Sequence, residues 1–526
     1  MKLSNRTHLL LWILLIILNF ILRIPTTPHE IGYDSVDIHI LANSISSFGT
    51  AMWWSNPLSV IGMYPLSYAS AIPFILSGIF QCSSTDMELV LLIFCIIISL
   101  FGTFGAYLLA GMILENDIFR FLVALIFSTS QGVLTLTTWT VSTRGFFIML
   151  LPLFVYSLLK CRSFRFRYSL MTIFFFILLL STHNLIFFIY PLITSYFLTI
   201  IFYEIRTYIH INENTDDIFS IVSFISFFVL LLVPLIFLQE LWMNDPEIMR
   251  GDITSRYAVV QSVAMTNVRY IGPLIFMIFG GYVSILFKRN KKFNDWFLLF
   301  ALISLAPLIY VQTYMKWFLI IFIYLLIGIS LANVLKINGT YKKYIVRFVL
   351  ILLIFNISFS GYFQYIHFLN NPTILGRHTD ECTFASGMWI KENINQNLFP
   401  EHDLVGMRTF AISQKPTLTG DAIGLTYGFY GSINDINITR NSPLTINYYR
   451  YGPYIKTPMT PYIQGYINQI RLLDIEHTWS KSIIDKYNLS YVIEDDDFQD
   501  DLFFLSVKKS KHNLYDNGNI RLWTLD

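Results

Sequence analysis

The stretch HEIGYDSVDIH at residues 29–39 carries the side chains best suited to chemistry, because it places several acids directly after an apolar segment. Glu30, Asp34 and Asp37 are carboxylates that can accept a proton, and a well-positioned general base typically contributes about 10²–10⁴-fold in rate. DSVD at 34–37 also fits the start of a helix with Asp34 as its N-cap. The two interpretations are compatible, and both stay open at this point.

Four further polar side chains lie in segments that we expect on the same side of the membrane as these acids, namely Arg144, His183, Arg269 and Lys316. Charged groups at membrane depth are costly unless they are paired or hydrated, so they tend to mark function. Each also has a structural interpretation. His183 can cap a helix, Arg144 can pair with a lipid headgroup or an acid, and Lys316 can extend its ammonium to the membrane interface.

The composition indicates a polytopic membrane protein. Of the 526 residues, 55% are hydrophobic and only 13% are charged, and the mean hydropathy is +0.56; a soluble protein has about 25% charged residues. Apolar runs near the length needed to cross a hydrocarbon core of about 30 Å recur along the chain. The net charge of +2 gives no reason to expect a nucleic-acid partner. The four cysteines show neither metal-ligand spacing nor a disulfide framework.

Eleven transmembrane helices are predicted, near residues 8–24, 88–112, 118–136, 145–160, 168–183, 185–203, 218–239, 270–287, 296–313, 317–335 and 344–362. The stretch 63–81 is apolar enough to span but contains Pro65 and Pro73, which weaken a long straight helix. We predict that it lies at the membrane surface, because the basic residues of the short loops then collect on one side. The N-terminus is then cytoplasmic and the C-terminus extracytoplasmic.

Two domains are expected. Residues 1–364 form the transmembrane domain, whose first external loop spans 25–87, and residues 365–526 form an extracytoplasmic soluble domain. Charges become dense in the second domain, and helical patterns begin near residues 385 and 479. Strand-like segments accompany them at DLVGMRT (403–409), LSYVIED (489–495) and IRLWTL (520–525). This alternation predicts an α/β fold.

The order of these parts resembles the GT-C superfamily of membrane glycosyltransferases, which use polyprenyl-phosphate-linked sugars. The shared features are a first helix that ends in an acidic external loop, a surface segment, a polytopic body and an external α/β domain. STRGFFIMLLPLFVYSLL (142–159) and MWIKENI (388–394) followed by a strand are similar to archaeal members. The resemblance implies that Asp34 is the catalytic acid, with Asp37 and Glu30 as substitutes.

The activity that the resemblance implies is transfer of a sugar from a polyprenyl-phosphate donor to an acceptor hydroxyl at the outer face, with inversion. Asp34 takes the acceptor proton, and fixed cations stabilise the departing phosphate. Lys316 corresponds to the basic residue that opens a late helix in this superfamily. The candidates for binding substrate are Lys316, Arg269 and Arg144, in this order for the phosphate, and then His183 and Tyr33.

The sequence also departs from part of this superfamily. Oligosaccharyltransferases carry a Trp-Trp-Asp-Tyr-Gly signature, and the nearest segment here, HTWSKSIID (477–485), does not match it. This favours transfer of a single sugar. TTWTVSTRG (137–145) contains no acid, so no metal ligand is predicted and a divalent cation is left open as a cofactor.

Other functions remain alternatives. A polysaccharide polymerase or ligase uses the same kind of donor on the same face. A transporter that flips lipid-linked glycans predicts repeated halves with charges at the midplane, and no such repeat is visible. A receptor or scaffold explains the external domain but not the polar loops. The acceptor, whether glycan, lipid or protein, is not specified by the sequence.

Overall fold

The computed structural model describes residues 3–49, 71–162, 166–208, 221–227, 229–230, 256–310, 314–337, 341–369, 379–419, 469–496 and 501–525. Most of the helix predicted at 218–239 and the first part of the stretch 63–81 lie outside these residues. The described chain is mostly helical, with a small sheet near its C-terminus.

The helical body runs from the N-terminus to Leu369. Its α-helices are α1 (Asn5–Ile21), α2 (Tyr33–Phe48), α3 (Ala71–Ser83), α4 (Met87–Ile113), α5 (Asp117–Ser128), α6 (Gln131–Leu134), α7 (Thr143–Cys161), α8 (Phe166–Leu180), α9 (Ile189–Tyr208), α10 (Arg256–Ile271), α11 (Met277–Leu286), α12 (Phe293–Leu305), α13 (Met315–Phe318), α14 (Ile320–Leu335) and α15 (Lys342–Leu369). Short 3-10 turns lie at Asn184–Phe188, Pro273–Phe276 and Ala306–Tyr310.

Several of these helices have the length and composition of membrane spans. At 1.5 Å per residue, the 27 residues of α4 extend about 40 Å, enough to cross a bilayer core. Within the described ranges, four helices qualify, namely α4, α7, Leu185–Tyr208 and Lys342–Ile366. The pair Val263–Ile271 and Pro273–Leu286, bent by 112°, adds a fifth if it forms one span. The membrane class is confirmed, whereas the number of eleven spans stays a prediction.

The predicted helix at 270–287 is wrong at its start. The chain bends at Gly272, whose φ of +84° is a backbone conformation that glycine adopts without strain. Pro273 follows, and a proline disfavours helical geometry in the residue before it. The apolar run therefore divides into α10 on one side of Gly272 and a 3-10 turn with α11 on the other.

The C-terminal unit, residues 379–419, 469–496 and 501–525, contains a four-stranded sheet in the order β1-β2-β4-β3. The strands are β1 (Asn397–Pro400), β2 (Leu489–Asp495), β3 (Asn513–Asp516) and β4 (Ile520–Thr524). β1 pairs with β2 in parallel, and the other two pairings are antiparallel. The helices are α16 (Glu381–Asn393), α17 (Asp403–Ser413), α18 (Thr478–Tyr487) and α19 (Leu502–Ser510). The α/β fold and the strands predicted at 489 and 520 are confirmed.

The predicted strand DLVGMRT is wrong, because this segment begins helix α17. His402 caps the helix, since its Nδ1 accepts a hydrogen bond from the Leu404 N–H at 3.2 Å. Residues 405–413 are all buried. A helix that is buried on every side has no polar face, so the 3.6-residue period that distinguishes a surface helix from a strand is missing from its sequence.

Helix α2 of the helical body packs against helix α17 of the C-terminal unit. Ile40 and Leu41 of α2 pack with Met407 and Phe410 of α17 in one apolar cluster. Asn43 adds a hydrogen bond, because its Nδ2 donates to the carbonyl oxygen of Ala411 at 2.7 Å. Helix α2 is therefore held against α17 by both apolar packing and a hydrogen bond.

Replacing Ile40 by alanine tests this contact. Ile40 is 1% exposed, so Ile40→Ala should cost about 2–5 kcal/mol of stability through lost burial and a cavity. The matched control is Ile17→Ala, because Ile17 is 49% exposed on α1. Thermal unfolding in one detergent should show a clear drop for the first variant and little change for the second. Equal shifts would contradict the packing of α2 against α17.

Candidate active site

The first turn of α2 is set by the loop before it. Gly32 is the N-cap, with φ +95°, and a Cβ on it would lie 3.0 Å from Thr140 Cγ2. The Ile31 N–H donates to the Trp139 carbonyl oxygen at 3.0 Å, and the Val141 N–H donates to Ser35 Oγ at 3.3 Å. The start of α2 is thus fastened to residues 139–141, the segment before α7.

The interpretation of Asp34 as the N-cap is wrong. The N-cap lies two residues earlier, at Gly32, whose positive φ favours glycine, and the helix begins at Tyr33. Asp34 lies in the first turn of the helix, where the helix dipole favours a carboxylate. Its side chain is consequently available for a partner outside the helix.

Arg144 is that partner. Its Nη2 lies 2.7 Å from Asp34 Oδ2, and the two side chains are 25% and 30% exposed, respectively. Arg144 is fixed by the start of α7, where Ser142 Oγ accepts a hydrogen bond from the Gly145 N–H at 3.0 Å. A charge-assisted hydrogen bond of this length is a strong one. The pair holds Asp34 in one orientation while part of its carboxylate faces solvent.

Tyr314 brings the sequence candidates together. The Arg144 guanidinium lies 5.3 Å from the centre of the Tyr314 ring. The His183 ring meets Tyr314 edge to face at 5.5 Å. Tyr314 is also the residue directly before α13, which contains Lys316. We call Asp34, Arg144, Tyr314 and His183 the Tyr314 cluster.

His183 caps the turn Asn184–Phe188, as one of its interpretations predicted. Its Nδ1 accepts a hydrogen bond from the Leu185 N–H at 3.0 Å, so the proton of the neutral ring lies on Nε2. Burial and then the Arg144 charge lower the pKa of His183 to about 3. The imidazole is therefore neutral at physiological pH, and its Nε2–H can donate to a phosphate or hydroxyl oxygen.

Lys316 and Arg269 lie on the α10 side of this cluster. The Lys316 ammonium is 5.5 Å from the Tyr270 ring centre and 5.8 Å from that of Trp317. These two rings contact each other at 4.3 Å. Arg269 is the neighbour of Tyr270 in the last turn of α10. Lys316 lies in the four-residue helix α13, and α14 follows directly after Leu319.

The other predicted residues in α2 and in the loop before it differ in exposure. Tyr33 is 38% exposed beside Asp34, whereas Asp37, one turn later, is 5% exposed. Glu30 is 3% exposed. Its carboxylate oxygens lie 2.6 Å from His39 Nδ1 and 3.0 Å from Ser35 Oγ. Asp34 is thus the most accessible of the three acids, and Glu30 is engaged within the protein.

Sequence reasoning missed the aromatic side chains that connect the charged groups. Tyr314, Tyr270 and Trp317 touch Arg144 or Lys316. Their position in the sequence could have indicated that they lie at the site, because each is one or two residues from a predicted cation in TYMKW or RYIG. Within the described ranges, no group of three or more His, Cys, Asp or Glu side chains is placed to hold a metal ion.

The titration of His183 predicts a pH effect on stability. The unfolded chain binds a proton at this histidine near pH 6.5, whereas the folded chain does so only near pH 3. The folded state therefore loses stability as the pH falls through this window, by up to about 2 kcal/mol at pH 5. His183→Asn keeps a cap acceptor and should flatten the dependence of unfolding temperature on pH between 7.5 and 5. The exposed His512→Asn is the control, and an unchanged slope in His183→Asn would refute the effect.

Solved structures share this fold. The Archaeoglobus fulgidus oligosaccharyltransferase tethered with an acceptor peptide containing the NVT sequon gives a TM-score of 0.56 at 10% identity, over 94% of this chain and 69% of that chain. AglB from the same organism, in complex with an inhibitory peptide and a dolichol-phosphate, gives 0.53 at 11% identity over 93% and 69%. ArnT from Cupriavidus metallidurans in the apo state gives 0.49 at 11% identity over 99% of each chain.

No protein-family model matches the chain, and no curated protein matches its sequence. The two archaeal structures have TM-scores above 0.5 and very low identity, so their likeness concerns the fold. It extends over the helical body and the C-terminal unit together. The chain has the GT-C fold, in agreement with the resemblance found in its sequence.

Proposed function

We propose that the protein is a membrane glycosyltransferase that moves a sugar from a polyprenyl-phosphate donor to an acceptor hydroxyl at the extracytoplasmic face. The observation that carries the proposal is the pairing of Asp34 with Arg144 at 2.7 Å, in a GT-C fold and beside His183 and Tyr314. The donor class is supported by the structure of AglB in complex with a dolichol-phosphate. The acid-bearing segment 25–87 is then the first external loop, and the N-terminus is cytoplasmic.

Asp34 acts on the acceptor. Arg144 binds Oδ2 of Asp34, which leaves Oδ1 to accept the proton of the acceptor hydroxyl. The acceptor oxygen then bonds to the anomeric carbon as the bond from this carbon to the phosphate oxygen breaks. Attack from the face opposite to the phosphate inverts the anomeric centre. From the sequence, Arg144 was the third candidate for binding the donor phosphate. In this proposal Arg144 serves mainly to orient Asp34 as the base.

Lys316 and Arg269 act on the donor. The departing polyprenyl phosphate gains negative charge, and preorganised cations stabilise such charge most effectively where water is scarce. Tyr270 and Trp317 flank the Lys316 ammonium and restrict its position. The neutral His183 adds a hydrogen bond from Nε2–H without adding charge.

Two observations bear on the nature of the acceptor and on the size of the transferred group. The A. fulgidus oligosaccharyltransferase was solved with a tethered acceptor peptide, which supports a peptide acceptor in general. HTWSKSIID (477–485) lacks the signature expected of an oligosaccharyltransferase. We therefore infer that a single sugar is transferred.

Replacing Asp34 tests the proposed base. Asp34→Asn should lower donor consumption by about 10²-fold or more, because the amide cannot accept the acceptor proton. The assay uses purified protein in lipid with a panel of polyprenyl-phospho-sugars and follows loss of donor. Glu392→Gln, at an exposed acid of α16, is the charge-matched control. Near-normal turnover by Asp34→Asn with the correct donor would exclude Asp34 as the base.

Replacing Lys316 tests the donor site separately. Lys316→Ala should raise the apparent KM for donor about 10- to 100-fold, the effect expected for one lost charged contact. Lys343→Ala, at an exposed lysine of α15, should leave KM unchanged. If the donor KM of Lys316→Ala matches that of wild type, Lys316 serves only as an anchor at the membrane interface.

A further inference from the structure

A cavity of about 240 Å³ lies between the helical body and the C-terminal unit. Phe80 and Leu92 line it from α3 and α4, and Met388 and Ile412 line it from α16 and α17. His39 of α2 also contributes to the lining, whereas Asp34 does not. Positions 34 and 39 are about 140° apart around a helix. The cavity is therefore separate from the Tyr314 cluster and lies on another side of α2.

His39 gives this cavity a fixed polar group. The side chain is 4% exposed, and its Nδ1 lies 2.6 Å from Glu30 Oε1. Ser35 Oγ donates to the other oxygen of Glu30 at 3.0 Å, so the carboxylate is held from two sides. With Nδ1 on Glu30, the other ring nitrogen carries a lone pair in the neutral imidazole and an N–H in the protonated one, so Nε2 can pair with a hydroxyl in either state. No hydrogen bond to Nε2 occurs within the described ranges, and His39 lines the cavity, so a ligand there can supply the partner.

Charged side chains of both signs line the cavity. Asp86 and Glu88 line it as acids, and Lys391 lines it as a base. His29 Nδ1 lies 3.1 Å from Glu88 and its Nε2 lies 3.3 Å from Glu381. Burial lowers the pKa of His29, but the bonds and charges of these two glutamates raise it above its usual value. Glu88 is thus engaged by His29 and by the Glu30 N–H. The other charged lining groups are one acid, Asp86, and one base, Lys391, so neither sign of charge predominates among them.

We propose that this cavity binds a neutral, hydroxyl-bearing amphiphile. Its hydroxyl forms a hydrogen bond with His39 Nε2, and its hydrocarbon part packs against Phe80, Leu92, Met388 and Ile412. The cavity begins at the first turns of α4, where the apolar span starts, so the ligand reaches it from the membrane interface. The site is distinct from the proposed transfer site, and its test does not depend on transferase activity.

Photolabelling tests this site directly. The probe is octyl glucoside with a diazirine in its alkyl chain, added to the full-length protein in lipid nanodiscs, with adducts mapped by mass spectrometry. We expect adducts on residues 384–388 and near Phe80 or Leu92. Unlabelled octyl glucoside should compete for these adducts, and octanoate and octyltrimethylammonium should compete at least about tenfold more weakly. Equal competition by the charged compounds would overturn the assignment of ligand class.

Two variants test the residues. Met388→Trp should fill the cavity and abolish these adducts, whereas Met388→Leu, which conserves volume, should retain them. His39→Phe should weaken competition by octyl glucoside about two- to tenfold, as expected for one lost hydrogen bond. Because His39→Phe also removes a partner of Glu30, the Met388 pair gives an answer even if that variant fails to fold. Adducts scattered over lipid-facing helices, and unchanged in Met388→Trp, would overturn the site itself.

Discussion

The hydrogen bond from the Ile31 N–H to the Trp139 carbonyl oxygen, at 3.0 Å, fixes where the short helix α2 begins. Gly32 follows it with φ +95° and turns the chain into the helix, so Asp34 meets Arg144 at the start of α7. On its other side, α2 packs against α17 through Ile40 and Leu41. The pairing of Asp34 with Arg144 and the position of His39 at the cavity both depend on this placement of α2.

The acidic stretch at residues 29–39 serves two surfaces because a helix separates its side chains by angle. Asp34 is directed toward Arg144 and Tyr314. Glu30 and His39 form a buried pair on another side, next to the cavity. His29 connects the first turn of α4 to α16 and stacks on Phe384 at 3.8 Å. The concentration of ionisable groups after the first helix thus has both a structural and a chemical explanation.

Much of the fold could be predicted from hydrophobic periodicity. Long apolar helices such as α4 and alternating strands such as LSYVIED carry their pattern locally. The failures arose where the local pattern was weak or misleading. DLVGMRT lacks a polar face because α17 is buried on all sides, and Gly272 divides an apolar run that is continuous in composition. The N-cap of α2 was missed because it depends on a contact with residues 139–141.

The candidate site was predictable in its residue types but not in its contacts. Asp34, Arg144 and His183 were identified because ionisable groups are rare in an apolar chain. Their meeting at Tyr314, and the pairing of Glu30 with His39, join residues far apart in sequence or on opposite sides of a turn.

A structure of the full chain with a polyprenyl phosphate bound is the most direct test. We expect the phosphate within hydrogen-bonding distance of Lys316 or Arg269 and on the same side of the protein as Asp34. A phosphate bound away from the Tyr314 cluster would contradict the proposed mechanism.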